Sequence, residues 1–116
     1  MKRTASMKEN HLFRRAYNRG KTAADGRLAL YVRRNGQKNN RLGLTVSTKV
    51  GCAVVRNRVR RRLREIYRLN EDKLVSGADV VVVARVRAAS SQYGQLEKSF
   101  LKLADKLELL KKEGVK

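Results

Sequence analysis

The chain has 116 residues, which suit a single domain spanning residues 1–116 and leave little room for a second. Its 29 Lys and Arg residues outnumber 10 Asp and Glu residues, and the resulting formal net charge of +19 implies a polyanionic partner. Cys52 is the only cysteine, which excludes an intramolecular disulfide, and no apolar run approaches the ~20 residues that span a bilayer. These features predict a cytoplasmic protein whose partner is a nucleic acid or, as the second candidate, an anionic membrane surface.

The first half of the chain predicts one helix and a pair of strands. Apolar spacing indicates a helix over 10–19, and strands are expected over 27–34 and 41–47, with a short extra strand near 21–23 as an option. The turn signal Asn35-Gly36 predicts that the two longer strands pair as a hairpin. One face should enter the core, with Leu28, Leu30, Val32, Leu42, Leu44 and Val46. The other face is small or polar and should be open enough to admit an extended chain, with Ala29, Tyr31, Gly43, Thr45 and Ser47.

The second half predicts two helices around a buried strand. A helix is expected over about 55–69, and the run Val80–Val83 is typical of a strand covered on both faces. A last helix over about 92–111 would carry the apolar stripe Leu96, Phe100, Leu103, Leu107 and Leu110. These elements predict an α+β single-domain sandwich with three helices and a small, mostly antiparallel sheet of about four strands, in the order α-β-β-β-α-β-α.

Arginine placement makes the helix over 55–69 the most informative segment. Residues 56–68 include seven arginines, while Val55, Val59, Leu63 and Ile66 fall within about 80° of one another as a core stripe. Arg56, Arg60, Arg64 and Arg68 recur every fourth residue, a spacing at which like charges destabilise a helix. Phosphate groups would relieve that repulsion, since the guanidinium fork binds phosphate oxygens in pairs. A solvated surface helix and a basic membrane helix are the weaker alternatives, because ordinary surfaces mix both signs and membrane helices need a broader apolar face.

Residues 42–65 resemble the signature of the bacterial ribonuclease P protein component. This stretch begins with Leu42-Gly43-Leu44 and includes the run Gly51-Cys52-Ala53-Val54-Val55-Arg56-Asn57-Arg58. The resemblance covers about residues 8–105 and also includes Asn10–Gly20, Leu28–Val32 and Val80–Arg85. It implies a fold over about 8–111 with short flexible ends and an unusual left-handed βαβ crossover through the arginine helix. It also implies that the chain is the accessory subunit of a ribonucleoprotein endonuclease that removes the 5′ leader of precursor tRNA.

The resemblance, together with the arginine spacing and the strand alternation, assigns residues to two binding roles. Contacts to the catalytic RNA are expected from Lys49, Arg56, Asn57, Arg60, Arg61, Arg64 and Arg68. Contacts to the single-stranded leader are expected from Phe13, Tyr17, Ala29, Tyr31, Thr45, Ser47 and Arg85. For Phe13 and Tyr17, the spacing alone favours ordinary packing of helix on sheet, and only the resemblance favours leader binding. The expected partners are ribonuclease P RNA, in a 1:1 complex, and precursor tRNA, with no membrane and no small-molecule substrate.

Catalytic groups are not expected in the protein. His11 is the only histidine and is expected at the surface or the rim of the cleft, and Cys52 lacks a partner for zinc binding or nucleophilic catalysis and is expected to pack as a small side chain. The carboxylates show no metal-ligand spacing, so no cofactor is expected on the protein, and magnesium would be bound by the partner RNA.

Three other functions compete with this interpretation. A basic ribosomal protein would explain the charge but not the arginine motif after Gly51, and it would not raise ribonuclease P RNA activity at low magnesium. A protein-only nuclease would need its own carboxylate or histidine cluster, and should cleave RNA alone. A membrane-surface protein should sediment with vesicles.

Overall fold

The computed structural model describes residues 4–7 and 10–111, which build one sheet and three helices. In chain order the elements are β1 (Thr4–Ser6), α1 (Asn10–Arg19), β2 (Lys21–Ala24), β3 (Leu28–Arg34), β4 (Asn40–Val46), α2 (Ala53–Asn70), β5 (Ala78–Ala84) and α3 (Tyr93–Lys106). Short 3-10 turns cover Thr48–Val50, Glu71–Lys73 and Val86–Ser90. None of the helices in these described ranges is both long and apolar enough to cross a bilayer.

The five strands lie in the order β1-β4-β5-β3-β2. β4 is parallel to both of its neighbours, whereas β3 is antiparallel to both of its own, so the sheet is mixed rather than mostly antiparallel. The strand near Lys21 is confirmed. β1 was not predicted, and it adds a strand before the first helix, in a segment expected to belong to a flexible end.

The predicted hairpin between β3 and β4 was wrong. β5 lies between these strands, and Asp79 is in register with Arg33 on one side and with Arg41 on the other. The reason is the apolar run of β5, of which Val80, Val81 and Val82 are all at most 1% exposed. A strand that is apolar on both faces is stabilised most at the centre of a sheet, where helices cover both sides.

The predicted core face of the sheet is confirmed, and α2 and α3 cover it. Leu28, Leu30, Leu42 and Val46 are buried there, and Val32 and Leu44 are partly buried against the same cluster. The stripe predicted for α2 also enters this core: Val59, Leu63 and Ile66 are at most 2% exposed. Tyr67, which the sequence did not indicate, is fully buried and meets Phe100 of α3 edge to face.

The opposite face of the sheet is covered by α1. Leu12 and Ala16 of this helix are buried with Met7 and Val81 in a second, smaller core. Gly43 allows the close approach, because a Cβ atom there would lie 2.6 Å from the ring of Phe13. A side chain at position 43 would therefore force the Phe13 ring to move from its place over the sheet.

The last helix ends at Lys106, whereas the sequence predicted that it would end near residue 111. Glu108 adopts a left-handed backbone with φ 58°, which turns the chain back toward the segment after α2. There the amide of Val75 donates to the carbonyl of Leu109 at 2.8 Å, and the amide of Lys111 donates to Lys73 at 2.7 Å. The apolar spacing correctly indicated burial of Leu107, which is 9% exposed, but not the path of the backbone.

The sheet has two ends, at which different residues meet. The Asn40 end is the edge where Asn40, Ala78 and Arg34 are neighbours, and the Val46 end is the edge where Val46, Ala84 and Leu28 are neighbours. At the Asn40 end the side chain of Asn40 accepts a hydrogen bond from the amide of Ala78 at 2.8 Å and donates to the carbonyl of Val75 at 2.9 Å. These bonds fix the start of β4 against the start of β5.

Candidate nucleic-acid interface

Helix α2 presents most of its arginines on the surface that faces away from the core. Arg61 and Arg64 are exposed, and Arg56 and Arg60 are half-buried. Among the described residues, none of these four arginines forms an ion pair with a carboxylate. Asn57 accepts a hydrogen bond from Nη1 of Arg60 at 2.9 Å, which holds that guanidinium along the helix surface. The four cations, here called the arginine face, therefore keep their charge available for a partner.

Arg68 differs from the arginine face, because it is paired within the helix. Its Nε donates to Glu65 at 3.1 Å, and a second bond joins its Nη2 to the same carboxylate. This hydrogen bonding lowers the pKa of Glu65. Of the seven residues predicted to contact the catalytic RNA, Arg68 is thus the one whose charge is already balanced.

Arg58 and Arg62 have a structural role that the sequence did not reveal. Nη2 of Arg58 donates to the carbonyl of Ala89 at 3.2 Å, and Nη1 of Arg62 lies 3.4 Å from the carbonyl of Ser91. Both bonds attach the turn that begins at Val86 to the flank of α2. The sequence indicated this role only by placing both arginines beside the apolar stripe of the helix, apart from the other arginines.

The loop before α2 places further polar groups next to the arginine face. Lys49 is exposed in the turn Thr48–Val50. Cys52 is the N-cap residue of α2 and is exposed, so its predicted role as a packing residue was wrong. The backbone amides of Val55 and Val54 lower the pKa of its thiol, as expected at the electropositive start of a helix.

Aromatic side chains of α1 and β3 meet above the sheet. The rings of Tyr17 and Tyr31 pack edge to face with centroids 4.8 Å apart, and the centroid of Phe13 lies 6.4 Å from that of Tyr17. The hydroxyl of Tyr17 lies 3.2 Å from that of Thr45 on β4. Four of the seven residues predicted to bind the leader are therefore brought together.

This face of the sheet is less open than the sequence suggested. Gly43 is buried under Phe13, Val81 is completely buried, and Ala29 is 9% exposed. The prediction of an open face failed here because the apolar side of α1 requires burial and finds it on these small residues. The accessible part is toward the Val46 end, where Tyr17 is 39% exposed and Thr45 is half-buried.

The remaining two residues predicted to bind the leader lie at the exit from the strands at the Val46 end. Ser47 directly follows β4 and Arg85 directly follows β5, and both are exposed. Nη1 of Arg85 donates to the carbonyl of Asp25 at 3.2 Å, which holds the guanidinium over the β2–β3 turn. Since α2 begins shortly after β4, the aromatic cluster and the first turns of the arginine face lie at the same end of the sheet, on its two opposite faces.

Acidic and histidine side chains do not gather at this surface. Within residues 4–7 and 10–111, no group of three or more His, Cys, Asp or Glu side chains could hold a metal ion. His11 is exposed, in agreement with its predicted place at the surface. The arrangement of cations and aromatic rings can bind phosphates and stack bases.

Sequence comparison identifies related proteins along almost the whole chain. The pattern of the Ribonuclease P family matches residues 1–108. A ribonuclease P protein component from Natranaerobius thermophilus is 39% identical over 99% of this chain and 100% of its own length. Another from Clostridium botulinum is 43% identical and covers 94% of this chain and 98% of its own.

Solved structures show the same fold. The RNase P protein of Staphylococcus aureus superposes with a TM-score of 0.84 at 28% identity, covering 91% of this chain and 97% of that one. The RNase P protein from Thermotoga maritima gives a TM-score of 0.72 at 29% identity, covering 78% of this chain and 86% of the other.

Proposed function

Because this chain belongs to the ribonuclease P protein family, we propose that it binds the catalytic RNA of ribonuclease P together with the 5′ leader of precursor tRNA. By holding both, it promotes magnesium-dependent endonucleolytic removal of the leader, which gives the mature 5′ end of the tRNA. The reaction is a hydrolysis carried out by a 1:1 complex of protein and RNA.

The arginine face is the observation that carries this proposal. Arg56, Arg60, Arg61 and Arg64 project from one helix with no carboxylate partner among the described residues, so the helix is electrostatically incomplete. Phosphates of a folded RNA supply the missing charge, and each contact releases counterions, which drives binding. Lys49 and Asn57 extend the same surface, and Arg68 contributes less because Glu65 competes for it.

The aromatic cluster supports the second part of the proposal, which concerns the leader. Tyr17 and Tyr31 offer partly exposed rings beside small polar groups at the Val46 end of the sheet. Such rings stack on bases without selecting a sequence, as a leader of variable sequence requires. Phe13 supports the cluster from below, Thr45 and Ser47 line the strand exit, and Arg85 provides a cation for the leader backbone.

In this proposal the chemical step belongs to the RNA. Magnesium bound by that RNA activates the attacking water and stabilises charge on the phosphoryl oxygens. The protein reduces the repulsion between two polyanions and positions the leader, so precursor is favoured over mature tRNA. The described side chains contribute cations and aromatic rings to that division of roles.

The direct test is cleavage of a precursor tRNA by bacterial ribonuclease P RNA at low magnesium, with and without the full chain. We expect strong activation that saturates at one protein per RNA, and no cleavage by protein alone. A protein that binds RNA tightly yet leaves this rate unchanged would contradict the proposal. Cleavage without the RNA would place the active site in the protein.

A further inference from the structure

A cavity of about 360 Å³ lies at the Asn40 end of the sheet, and no residue of the arginine face or of the aromatic cluster lines it. Its floor is apolar and includes Val32 and Ala78 of the sheet, with Leu107 and Leu109 from the segment after α3. The cavity exists because the left-handed Glu108 turns the chain out of the helix and back along Val75. The premature end of α3 thus creates a depression that a continuous helix would not leave.

The rim of this cavity is strongly basic. Arg19 ends α1, Lys21 starts β2, and Arg33 and Arg34 end β3, so four cations line one opening. Arg33 faces the buried carboxylate of Asp79 at 4.0 Å. In the described part of the chain, Arg19, Lys21 and Arg34 form no ion pair, and all three are exposed. Among residues 4–7 and 10–111, Glu108 is the only acidic residue that lines the opening.

The function proposed above does not use these cations. The arginine face lies on α2, which packs over β4, whereas the cavity is lined from β2, β3 and the segment after α3. β5 and β3 lie between β4 and β2, so three interstrand spacings of about 4.8 Å, or roughly 14 Å, separate the two surfaces across the sheet. A phosphate bound at the arginine face therefore cannot also neutralise Lys21 and Arg34, whose interactions are screened over about 10 Å.

We propose that this cavity is a second RNA-binding site, which takes one nucleotide of an RNA chain. Its phosphate lies among Arg19, Lys21 and Arg34, and its nucleoside rests on the apolar floor formed by Leu107 and Leu109. The inference rests on the proposed RNA-binding function and extends it, since an RNA held at both surfaces must also reach the β2–β3 side of the domain. Glu108 weakens the site, because its carboxylate repels the same phosphate.

The test uses the full-length protein with methyl groups labelled for NMR. The probes are inorganic phosphate, a nucleoside 5′-monophosphate and a single-stranded octaribonucleotide. We expect the octaribonucleotide to shift the methyl signals of Val32, Leu107 and Leu109, the mononucleotide to shift them more weakly, and phosphate to shift them least. A dissociation constant at this site comes from the same signals.

Two matched pairs of variants separate local contact from general charge. Lys21→Gln should weaken binding at this site about two- to fivefold, as for an exposed ion pair, whereas Lys98→Gln, which removes another exposed lysine, in α3, should not. Glu108→Gln should tighten binding, whereas Asp105→Asn should have a smaller effect. The substituted side chains are all exposed, so each variant is expected to fold, which its unchanged unfolding midpoint would verify.

In a contrary outcome, the octaribonucleotide shifts the methyl signals of Val83, near the aromatic cluster, but not those of Val32, Leu107 and Leu109. That result would overturn this inference and leave the proposed function intact. Equal shifts with inorganic phosphate and with the octaribonucleotide would overturn the assignment to RNA, since the cavity would then hold a free anion. The proposed function itself fails if the octaribonucleotide shifts no signal in the protein and ribonuclease P RNA gains no activity from the protein.

Discussion

The hydroxyl groups of Tyr17 and Thr45 lie 3.2 Å apart, which joins α1 to the strand that leads toward the arginine helix. The Tyr17 ring packs edge to face against Tyr31 and remains 39% exposed. The two proposed binding surfaces are thus connected through β4 and the short turn that follows it.

Replacement of Tyr17 by alanine is expected to weaken binding of leader-bearing precursor more than binding of mature tRNA. The loss should be about 1–3 kcal/mol, the usual contribution of one base stacked on an aromatic ring. Tyr17→Phe is the control, because it keeps the ring and removes only the bond to Thr45. Holoenzyme affinity for both RNAs measures the difference, and equal losses for precursor and mature tRNA would assign Tyr17 to packing alone.

Replacement of Arg64 by glutamine should weaken binding to the catalytic RNA and reduce its dependence on salt. One lost phosphate contact lowers the slope of log K against log salt concentration by about one unit. Arg68→Gln should change the slope less, because Glu65 already pairs with that guanidinium. Titrations at several salt concentrations measure both slopes. Identical slopes for wild type and Arg64→Gln would exclude Arg64 as a phosphate ligand.

Replacement of Asp79 by asparagine is expected to destabilise the fold by about 3–5 kcal/mol, as for other buried ion pairs that lose one partner. Asp79 is completely buried and binds Arg41 through two bonds of 2.7 and 2.9 Å, and it also accepts from Asn35 at 3.1 Å. Urea unfolding measures the loss. Arg33→Gln is the control and should cost less stability, since Arg33 lies 4.0 Å from Asp79. If Asp79→Asn destabilises the protein no more than Arg33→Gln does, water must replace the carboxylate as the partner of Arg41.

Acid should destabilise the protein partly through Asp25. Burial opposes ionisation of this carboxyl, but hydrogen bonds from the amides of Leu28 and Arg27 outweigh it and lower the pKa from 3.8 to about 2. Its contribution to stability is therefore complete above pH 3.8 and disappears as the pH falls toward 2. Thermal unfolding between pH 2 and 7 should show a smaller acid-induced change for Asp25→Asn. An unchanged pH profile would mean that Asp25 ionises in the folded and unfolded states alike.

Local patterns were enough to predict α1, most of α2 and the two faces of the sheet. Leu28 and Leu30 enter the core for the same reason that they alternate with Ala29 and Tyr31 in the sequence. Strand pairing could not be predicted in this way, because the turn at Asn35-Gly36 indicates only that the chain reverses. Whether a third strand enters between the two depends on Val80–Val83, which come some forty residues later.

The site was predictable in its chemistry and less so in its accessibility. Arginine spacing indicated the arginine face, but the attachments of Arg58 to Ala89 and of Arg62 to Ser91 depend on tertiary contacts. Alternation placed Ala29 and Gly43 opposite the core, but it could not indicate that α1 covers them. The cavity beside Glu108 could not be predicted from the sequence, because apolar spacing through Leu110 is also consistent with a continuous helix.

The position of β5 between β3 and β4 has a consequence for synthesis of the protein. Until the nascent chain is translated past Ala78, it contains β3 and β4 but lacks β5, the strand that pairs with both of them. The central sheet therefore cannot assemble during most of translation. Folding must then wait for contacts between residues distant in sequence, which slows it and exposes apolar strands meanwhile. A truncated chain ending after α2 should accordingly remain unfolded, and a ribosome-bound chain should become protease-resistant only after β5 emerges.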